Sequence, residues 1–297
     1  MQKISFKTTP KCQIPYSDEI REYFDAGVLF LPDSYTENGK PTRLIINCHG
    51  AGGTVTTDDS QISKQTLSKY LLANGYAVVD VNGLPEEYAA EFGIDIRHNV
   101  GSPIAVDSYI QAYRFCTDNY NLYKEVFVHG GSMGGISSTN LVLSGKIPVI
   151  AQTGFCPVLD AYNEMFLHPW SKGKPKIALT KLYSFEIDEG GEPIYDERKL
   201  IDYNPMATDT PHPCPVFFAH SVDDTIVNHE ITKKYVEKVR DEGGTAELLL
   251  LPAGGHEPHT YGPPIDKTLG LSYFEGERLT ITEAIEAVFN WIKKYDR

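Results

Sequence analysis

Short apolar runs alternate with segments of helical periodicity along most of the chain. The runs at 43–48 (RLIINC), 76–81 (YAVVDV) and 125–130 (EVFVHG) are apolar with little alternation, which is typical of strands buried on both faces. The intervening segments place apolar residues three and four positions apart, as amphipathic helices do. The predicted helices lie at 60–76, 102–120, 133–145, 229–244 and 280–297. This alternation predicts an α/β fold, with a mostly parallel central sheet and helices on both faces.

Two parts of the chain, near the N-terminus and in the middle, depart from this pattern. ISFKTT (4–9) and AGVLFLP (26–32) predict two short strands at one edge of the sheet. Between about 156 and 213, aromatic, charged, Gly and Pro residues mix without a clean period. A simple connection of that length is uncommon in a compact domain. We therefore predict one domain over 1–297, with a partly helical, lid-like insertion at about 156–213.

Composition and charge narrow the class of protein. The chain has 297 residues, 41% of them hydrophobic and 23% charged, with a formal net charge of −13, which is ordinary for a globular protein except for the acidity. A basic footprint for nucleic acid is missing, and attraction to anionic membranes is not expected. The acidity predicts mild repulsion of acidic substrates. We expect no nucleic-acid or membrane partner, and the oligomeric state stays open.

The cysteines and the N-terminus bear on the compartment. Five cysteines occur without CxxC spacing, which indicates buried thiols and a reducing compartment, and argues against a Cys-ligated zinc site. The first sixteen residues lack the apolar core of a signal peptide, and no window is apolar enough to span a bilayer. A cytoplasmic location is the expectation, with export left open.

The most informative stretch is VHGGSMGGISS, residues 128–138, where a predicted strand gives way to a predicted helix. Glycines are costly in chain entropy, yet several of them surround Ser132. Gly-x-Ser-x-Gly between a strand and a helix is typical of a nucleophilic serine on a tight turn, where small neighbours let the strand and helix approach. A plain turn or a phosphate-binding loop is the alternative, but the lysine pattern of a P-loop is missing.

Partners for this serine follow in the order that such chemistry requires. Asp223 and Asp224 come directly after the strand at 214–221, and His256 follows the last strand after two glycines. Ser, Asp and His in this order resemble the catalytic triad of α/β-hydrolases. The segment HSVDDTIV is similar to the family's H-G-x-x-D-x-x-V stretch, which favours Asp224 over Asp223. Ser221 stands where that stretch has glycine, so the choice between the two aspartates stays open.

A second glycine-rich loop completes the resemblance. HGAGG, residues 49–53, follows the strand at 43–48 and is similar to the HGGG-type oxyanion loop. The resemblance implies that the backbone N–H groups of Ala51 and Met133 form an oxyanion hole, which stabilises the charge of a tetrahedral intermediate. A flexible turn before a helix is the alternative reading of this loop.

Histidines near the predicted triad and aromatic residues of the insertion are further candidates for a functional role. His220 with the two aspartates, or His256 with His259, could suggest a metal site, but Pro258 argues against a helical ligand pair at His256 and His259. We predict no metal. In the insertion, Trp170 and Phe166 are candidates for binding the acyl group of a substrate, with the insertion's own small core as an equal alternative.

From about residue 25 to 294 the chain resembles single-domain serine esterases of the α/β-hydrolase superfamily. Acetyl-xylan, feruloyl and polyhydroxybutyrate-depolymerase-like esterases are the most similar, on the segment YNL…EVFVHGGSMGG (120–135). The resemblance implies a cofactor-free carboxylesterase. It acts on short-chain or aromatic acyl esters, with small-molecule and glycan esters as candidate substrates.

Two alternatives remain at this point. One is a serine peptidase of the prolyl-oligopeptidase type, which shares the catalytic core but usually carries a further large domain for which the given sequence has no room. The other is a catalytically silent α/β-hydrolase that serves as a binding module, which need not retain all three triad residues.

Overall fold

The computed structural model of the protein describes residues 2–56, 60–168 and 170–297. Its largest feature is an eight-stranded sheet with the order β1-β4-β6-β5-β7-β8-β9-β10. The eight strands are β1 (Gln2–Thr8), β4 (Asp25–Leu31), β5 (Leu44–Cys48), β6 (Ala77–Val81), β7 (Val126–Gly131), β8 (Val149–Phe155), β9 (Val216–Ser221) and β10 (Ala246–Leu251). Two hairpins stand apart from this sheet, formed by β2 (Lys11–Gln13) with β3 (Ile20–Glu22), and by β11 (Ile265–Thr268) with β12 (Arg278–Ile281).

The sheet is mostly parallel, as the sequence predicts. β1 pairs with β4 and β4 with β6 in antiparallel register, and every later pair is parallel. β5 and β6 lie in the interior of the sheet and are buried along their whole length. Their continuous apolar runs are explained by this position, since helices cover both faces. Because parallel strands point the same way, β5, β7, β9 and β10 all end at one edge.

The α-helices are α1 (Thr66–Ala73), α2 (Glu86–Glu91), α3 (Pro103–Asn119), α4 (Met133–Leu143), α5 (Lys174–Leu182), α6 (His229–Asp241) and α7 (Glu283–Tyr295). Of these, α1, α3, α4, α6 and α7 cover the two faces of the sheet, whereas α2 and α5 pack with the chain between β8 and β9. Along β4, Val28 and Phe30 belong to the core under α1 and α7, whereas Leu29 and Leu31 belong to the core under α3 and α4. Successive strand residues point to opposite faces, so one strand contributes to both cores.

The helix bounds differ from the predicted ones at two places. The predicted helix at 60–76 is a 3₁₀ turn, Gln61–Ser63, followed by α1, because Gln65 has an extended backbone (φ −86°, ψ 125°) that separates the two. The predicted helix at 280–297 begins later, at Glu283, because residues 278–281 pair as β12. In contrast, α3 begins as expected, with the Ser102 hydroxyl accepting a hydrogen bond from the Ala105 N–H.

The chain between β8 and β9 leaves the sheet and forms the cover of its carboxyl edge. It contains one turn of π-helix, Ala161–Phe166, a kinked 3₁₀ turn, Trp170–Gly173, then α5 and two further short 3₁₀ turns. Its apolar side chains pack in a core of their own together with α2 and the β2–β3 hairpin. The sequence predicts a partly helical insertion here but not this arrangement, since aromatic and charged residues alternate without a period.

No helix among the described residues has the length and apolar character needed to cross a membrane. All five cysteines are buried and carry free thiols, in agreement with the buried thiols expected from their spacing.

Candidate active site

Ser132 lies on a sharp turn between the end of β7 and the start of α4. Its backbone has φ 52° and ψ −127°, a conformation that an L-residue adopts only when its surroundings enforce it. The surrounding glycines allow this turn. A Cβ atom at Gly130 would lie 2.2 Å from the carbonyl oxygen of Gly134, and one at Gly134 would lie 1.9 Å from that of Cys48. Side chains at these positions would push α4 away from β5 and β7.

His256 and Asp224 complete a line of hydrogen bonds to this serine. His256 Nε2 lies 2.8 Å from Ser132 Oγ, and His256 Nδ1 lies 2.9 Å from Asp224 Oδ2. The three residues come from the ends of β7, β9 and β10, and the parallel sheet brings them to one edge. This geometry allows the imidazole to accept the serine proton while the carboxylate fixes its tautomer.

Asp224 is held in its ionised form. Burial raises the pKa of its carboxyl, but hydrogen bonds from His220 and His256, and from the backbone N–H groups of Ile226 and Val227, outweigh burial and leave the pKa well below its usual value. The side chain has no exposed surface. A buried carboxylate with this many donors is a fixed negative charge beside the imidazole.

The neighbouring Asp223 plays a different part. Its Oδ1 accepts a hydrogen bond from the Gly255 N–H at 2.8 Å, and the residue is exposed. Asp223 therefore ties down the loop that carries His256, while Asp224 contacts the imidazole itself.

The loop at 49–53 lies against the serine turn. A Cβ atom at Gly50 would lie 3.1 Å from the carbonyl oxygen of Gly131 and 3.8 Å from Ser132 Oγ, so the backbone here approaches the hydroxyl closely. Ala51 follows in the same loop and lines the cavity in front of Ser132. Met133, the other predicted oxyanion residue, is the first residue of α4, and its side chain is buried.

A buried ionic group anchors this loop to the sheet. His49 Nδ1 lies 3.0 Å from Asp80 Oδ1, and Asp80 also accepts hydrogen bonds from Asn47 Nδ2 and the Tyr109 hydroxyl. Burial lowers the pKa of His49, yet the Asp80 carboxylate outweighs burial and leaves the pKa above its ordinary value. This pairing explains why a histidine precedes the glycines.

A cavity of about 630 Å³ opens in front of Ser132. Its walls come from the 50–52 loop, the start of α1, residues 97–98, the ends of β7 and β8, the insertion, and the His256 loop. The cavity is large enough for a small acyl group and part of its alcohol. The rings on its wall are those of His98, His129, Phe155, Trp170, His256 and His259.

The structure places the two predicted substrate-binding residues differently. Trp170 lines the cavity beside Ser132. Phe166 lies away from it, buried against Phe185 and Tyr195, and lines a second cavity of about 660 Å³. Phe166 therefore packs within the insertion's own core, which was the alternative to acyl binding in the sequence analysis.

Comparison with known proteins gives structural matches only. No protein-family model and no curated protein sequence matches the chain. The acylaminoacyl peptidase of Pyrococcus horikoshii superposes with a TM-score of 0.58 and 12% identity, over 85% of this chain and 38% of that one. A puromycin-hydrolysing peptidase of Mycobacterium tuberculosis gives 0.59 and 18%, over 86% and 37%. A lipase/esterase of Lactobacillus plantarum gives 0.59 and 13%, over 86% and 91%.

These matches agree with the strand order and the mainly parallel sheet. The chain has the α/β-hydrolase fold. It spans less than two fifths of the length of the two peptidases, and matches most of the lipase/esterase. The narrower resemblance to acetyl-xylan, feruloyl and polyhydroxybutyrate-depolymerase-like esterases stays a prediction.

Within this α/β-hydrolase fold, His220 contacts the carboxylate of Asp224, a role that the sequence analysis did not assign to it. The residue is buried, with Nε2 3.2 Å from Asp224 Oδ2 and Nδ1 2.9 Å from the Thr232 hydroxyl. It contacts the same carboxylate oxygen, Oδ2, as His256 does. Its spacing of four residues from Asp224 was visible in the sequence, but a bend after β9, not a helix, brings the two together.

Cys156 is the other residue near the site that the sequence did not single out. It follows β8 with a positive φ of 38°, and its thiol donates a hydrogen bond to the His256 carbonyl oxygen at 3.2 Å. Burial raises the pKa of this thiol. In the part of the chain that the structure describes, Cys156, Asp224 and His256 form the one group of three potential metal ligands. Its histidine and aspartate are already bonded to each other.

Proposed function

We propose that the protein is a serine-dependent carboxylic ester hydrolase. The observation that carries the proposal is the pair of contacts from Ser132 through His256 to Asp224, at 2.8 and 2.9 Å. In the first step His256 accepts the proton of Ser132 while its oxygen attacks the acyl carbon. His256 then protonates the leaving alcohol, and an acyl-enzyme forms.

The second half of the reaction uses the same groups. His256 removes a proton from water as the water oxygen attacks the acyl carbon. The bond from that carbon to Ser132 Oγ then breaks, and His256 returns the proton to Oγ as the acid leaves. In both steps the oxygen of the tetrahedral intermediate is negative, and the backbone N–H groups of Ala51 and Met133 are the proposed donors to it. The loss of one such donor costs about 2.7–4 kcal/mol of activation free energy in a comparable enzyme.

The cavity supports short-chain or aromatic acyl groups as substrates. At about 630 Å³ it has room for a butyryl or feruloyl group, and the rings of Phe155 and Trp170 offer apolar faces. Glycan esters stay candidates on the earlier resemblance alone.

Hydrolysis rates on the nitrophenyl esters of acetate, butyrate and octanoate and on a feruloyl ester test the proposal. We expect Ser132→Ala to lose about a thousandfold or more in kcat. Ser144→Ala is the matched control, since Ser144 lies at the end of α4 and its hydroxyl bonds to Leu141. If wild type and Ser132→Ala hydrolyse every ester at the same rate, the proposal fails.

A peptidase is the second candidate, because two of the structural matches are described as peptidases. Matched ester and anilide substrates of one acyl group separate the candidates. A higher kcat/KM for the anilide would favour the peptidase. A silent binding module would instead leave Ser132 unlabelled by a fluorophosphonate.

A further inference from the structure

One wall of the cavity presents an oriented guanidinium. Arg97 and the two residues beside it in the lining, His98 and Trp170, face the same space as Ser132. Arg97 makes a two-pronged contact with Asp95, in which Nε lies 2.9 Å from Oδ1 and Nη2 lies 2.7 Å from Oδ2. Such a fork fixes the plane of the guanidinium, and less side-chain entropy is then lost when a second anion binds.

The charge of Arg97 is not cancelled by its partner. Asp95 also contacts Lys174 of α5, with Nζ 2.6 Å from Oδ2. One carboxylate is thus shared by two cations, which leaves a net positive charge at this wall. Among the residues that the structure describes, Nη1 of Arg97 has no hydrogen-bond partner, so its two N–H groups remain for a ligand.

This wall of the cavity differs in charge from the molecule as a whole. The chain carries 40 acidic and 27 basic residues, yet at this wall two cations, Arg97 and Lys174, share the single carboxylate of Asp95. The acidity of the whole chain predicts repulsion of acidic substrates, but the local balance at this wall is the reverse.

We propose that Arg97 is a specificity-determining residue that binds an oxyanion, a carboxylate or a phosphate, carried by the ester substrate. The inference rests on the proposed ester hydrolysis at Ser132. Nη1 and the outer N–H of Nη2 donate to the two oxygens of the anion in the plane that Asp95 fixes. The ester carbon then lies at Ser132 Oγ, and the anion occupies the wall under Trp170.

The chain supplies a matched control for this fork. Arg198 contacts Asp196 two residues earlier in the same way, with Nε–Oδ1 and Nη2–Oδ2 distances of 2.9 Å. Arg198 is exposed, as Arg97 is, but it lies outside the cavity lining. Arg198→Met removes an identical contact without touching the cavity, so it separates the loss of a fork from the loss of the anion site.

The test compares charged and neutral substrates within each variant. In the acyl arm the carboxylate is on the acyl group, and 4-nitrophenyl hydrogen glutarate is compared with 4-nitrophenyl valerate. In the alcohol arm the carboxylate is on the leaving alcohol, and 4-acetoxybenzoate is compared with its methyl ester. A phosphate in place of the carboxylate, as in 4-acetoxyphenyl phosphate, distinguishes the two oxyanions. The ratio of kcat/KM, charged over neutral, is independent of how much of each preparation is folded.

We expect Arg97→Met to lower this ratio about tenfold in one arm. This is the effect expected from losing a charge-assisted hydrogen bond that is partly in contact with water. Arg97→Lys restores part of it, and Arg198→Met leaves it as in the wild type. An unchanged ratio in Arg97→Met on every arm overturns the proposal.

A binding measurement separates this proposal from the proposed function. Monomethyl glutarate is titrated calorimetrically into Ser132→Ala and into the double variant with Arg97→Met. A dissociation constant about tenfold weaker in the double variant supports the anion site even if no ester is hydrolysed. Equal constants, or no binding to Ser132→Ala, overturn it.

Discussion

Asp224 is the residue whose replacement best separates the proposed triad from simple packing. Asparagine at position 224 keeps the size of the side chain but loses the negative charge that stabilises the imidazolium. Its amide can also turn its N–H₂ group towards His256 Nδ1, which then no longer has an acceptor there. We expect Asp224→Asn to lower kcat by about 10⁴, as for a triad aspartate in a serine protease. Steady-state kinetics on 4-nitrophenyl acetate measure the loss.

The adjacent aspartate is the control for this variant. Asp223→Asn keeps an oxygen that can accept the Gly255 N–H bond, so we expect its kcat to stay within about threefold of wild type. Equal losses in the two variants would assign the effect to the loop and not to the imidazole.

The residues of the site could be predicted from the sequence only where a local motif marks them. Ser132 has its glycines, and His256 and Asp224 follow strands in the required order. Asp95 and Arg97 carry no such mark. Their role depends on Lys174, which is 79 residues away in the chain and lies in the insertion, where no period fixes the fold.

Glu164 is a buried carboxyl that gives the stability of the protein a predictable dependence on pH. Burial raises its pKa to about 8, although the N–H groups of Leu159 and Asp160 partly oppose this. The folded state therefore holds a proton that the unfolded state releases above its ordinary pKa of 4.5. This contribution to stability is complete below pH 4.5 and is lost as the pH rises towards 8.

Glu164→Gln removes this titration and keeps the shape of the side chain. We expect the unfolding free energy of the variant, relative to wild type, to increase by up to about 1.4 kcal/mol per pH unit between pH 5 and 8. Urea denaturation at each pH measures the difference, with Glu189→Gln on an exposed loop as the control. A difference that does not change with pH would contradict the prediction.

At the scale of elements, the glycines around Ser132 hold α4 against the sheet. The first turn of α4 packs on the end of β5, where Gly134 leaves no space for a side chain: a Cβ atom would lie 1.9 Å from the Cys48 carbonyl oxygen and 2.7 Å from that of His49. Both neighbours are backbone atoms, so they cannot rotate away. The entropy that these glycines cost is thus offset by a close helix–strand contact.

Gly134→Ala tests this contact. Alanine favours helices by about 1 kcal/mol over glycine, but the overlap requires α4 or β5 to move, and we expect a net loss of about 3 kcal/mol in the unfolding free energy. Gly270→Ala is the control, since no atom lies within 4 Å of its Cβ position. Chemical denaturation of the two variants would contradict the prediction if both stay within about 0.5 kcal/mol of wild type.

Most elements of the sheet could be predicted because their patterns are local. The strands at 43–48 and 125–130 are short apolar runs, and α3 has a serine cap followed by proline. The β2–β3 and β11–β12 hairpins were not predicted, because β2, β3 and β11 are short and largely exposed, and the alternation of β12 spans only four residues next to a helix. The exposed edges of such hairpins carry little hydrophobic signal, and contacts distant in the sequence fix them.

At the scale of the whole molecule, the five thiols lie in three separate hydrophobic cores. Cys48, Cys116 and Cys214 belong to the core under α3, Cys12 to the core of the insertion and N-terminal hairpin, and Cys156 to the core on the other face. All are buried. A thiol reagent can therefore report whether these parts open together or separately.

We expect one thiol to react before the others with 5,5′-dithiobis(2-nitrobenzoate) under native conditions. Cys156 lines the active-site cavity, where a reagent can reach it, and none of the other four thiols is among the described residues of that lining. Its raised pKa makes the native reaction slow at neutral pH and faster as the thiolate forms at higher pH.

Cys156→Ser should remove this first phase and leave the other four thiols reacting together at the rate of global unfolding. A first phase that persists in Cys156→Ser would show instead that another part of the molecule opens locally. Absorbance at 412 nm under native and denaturing conditions counts the thiols in each phase.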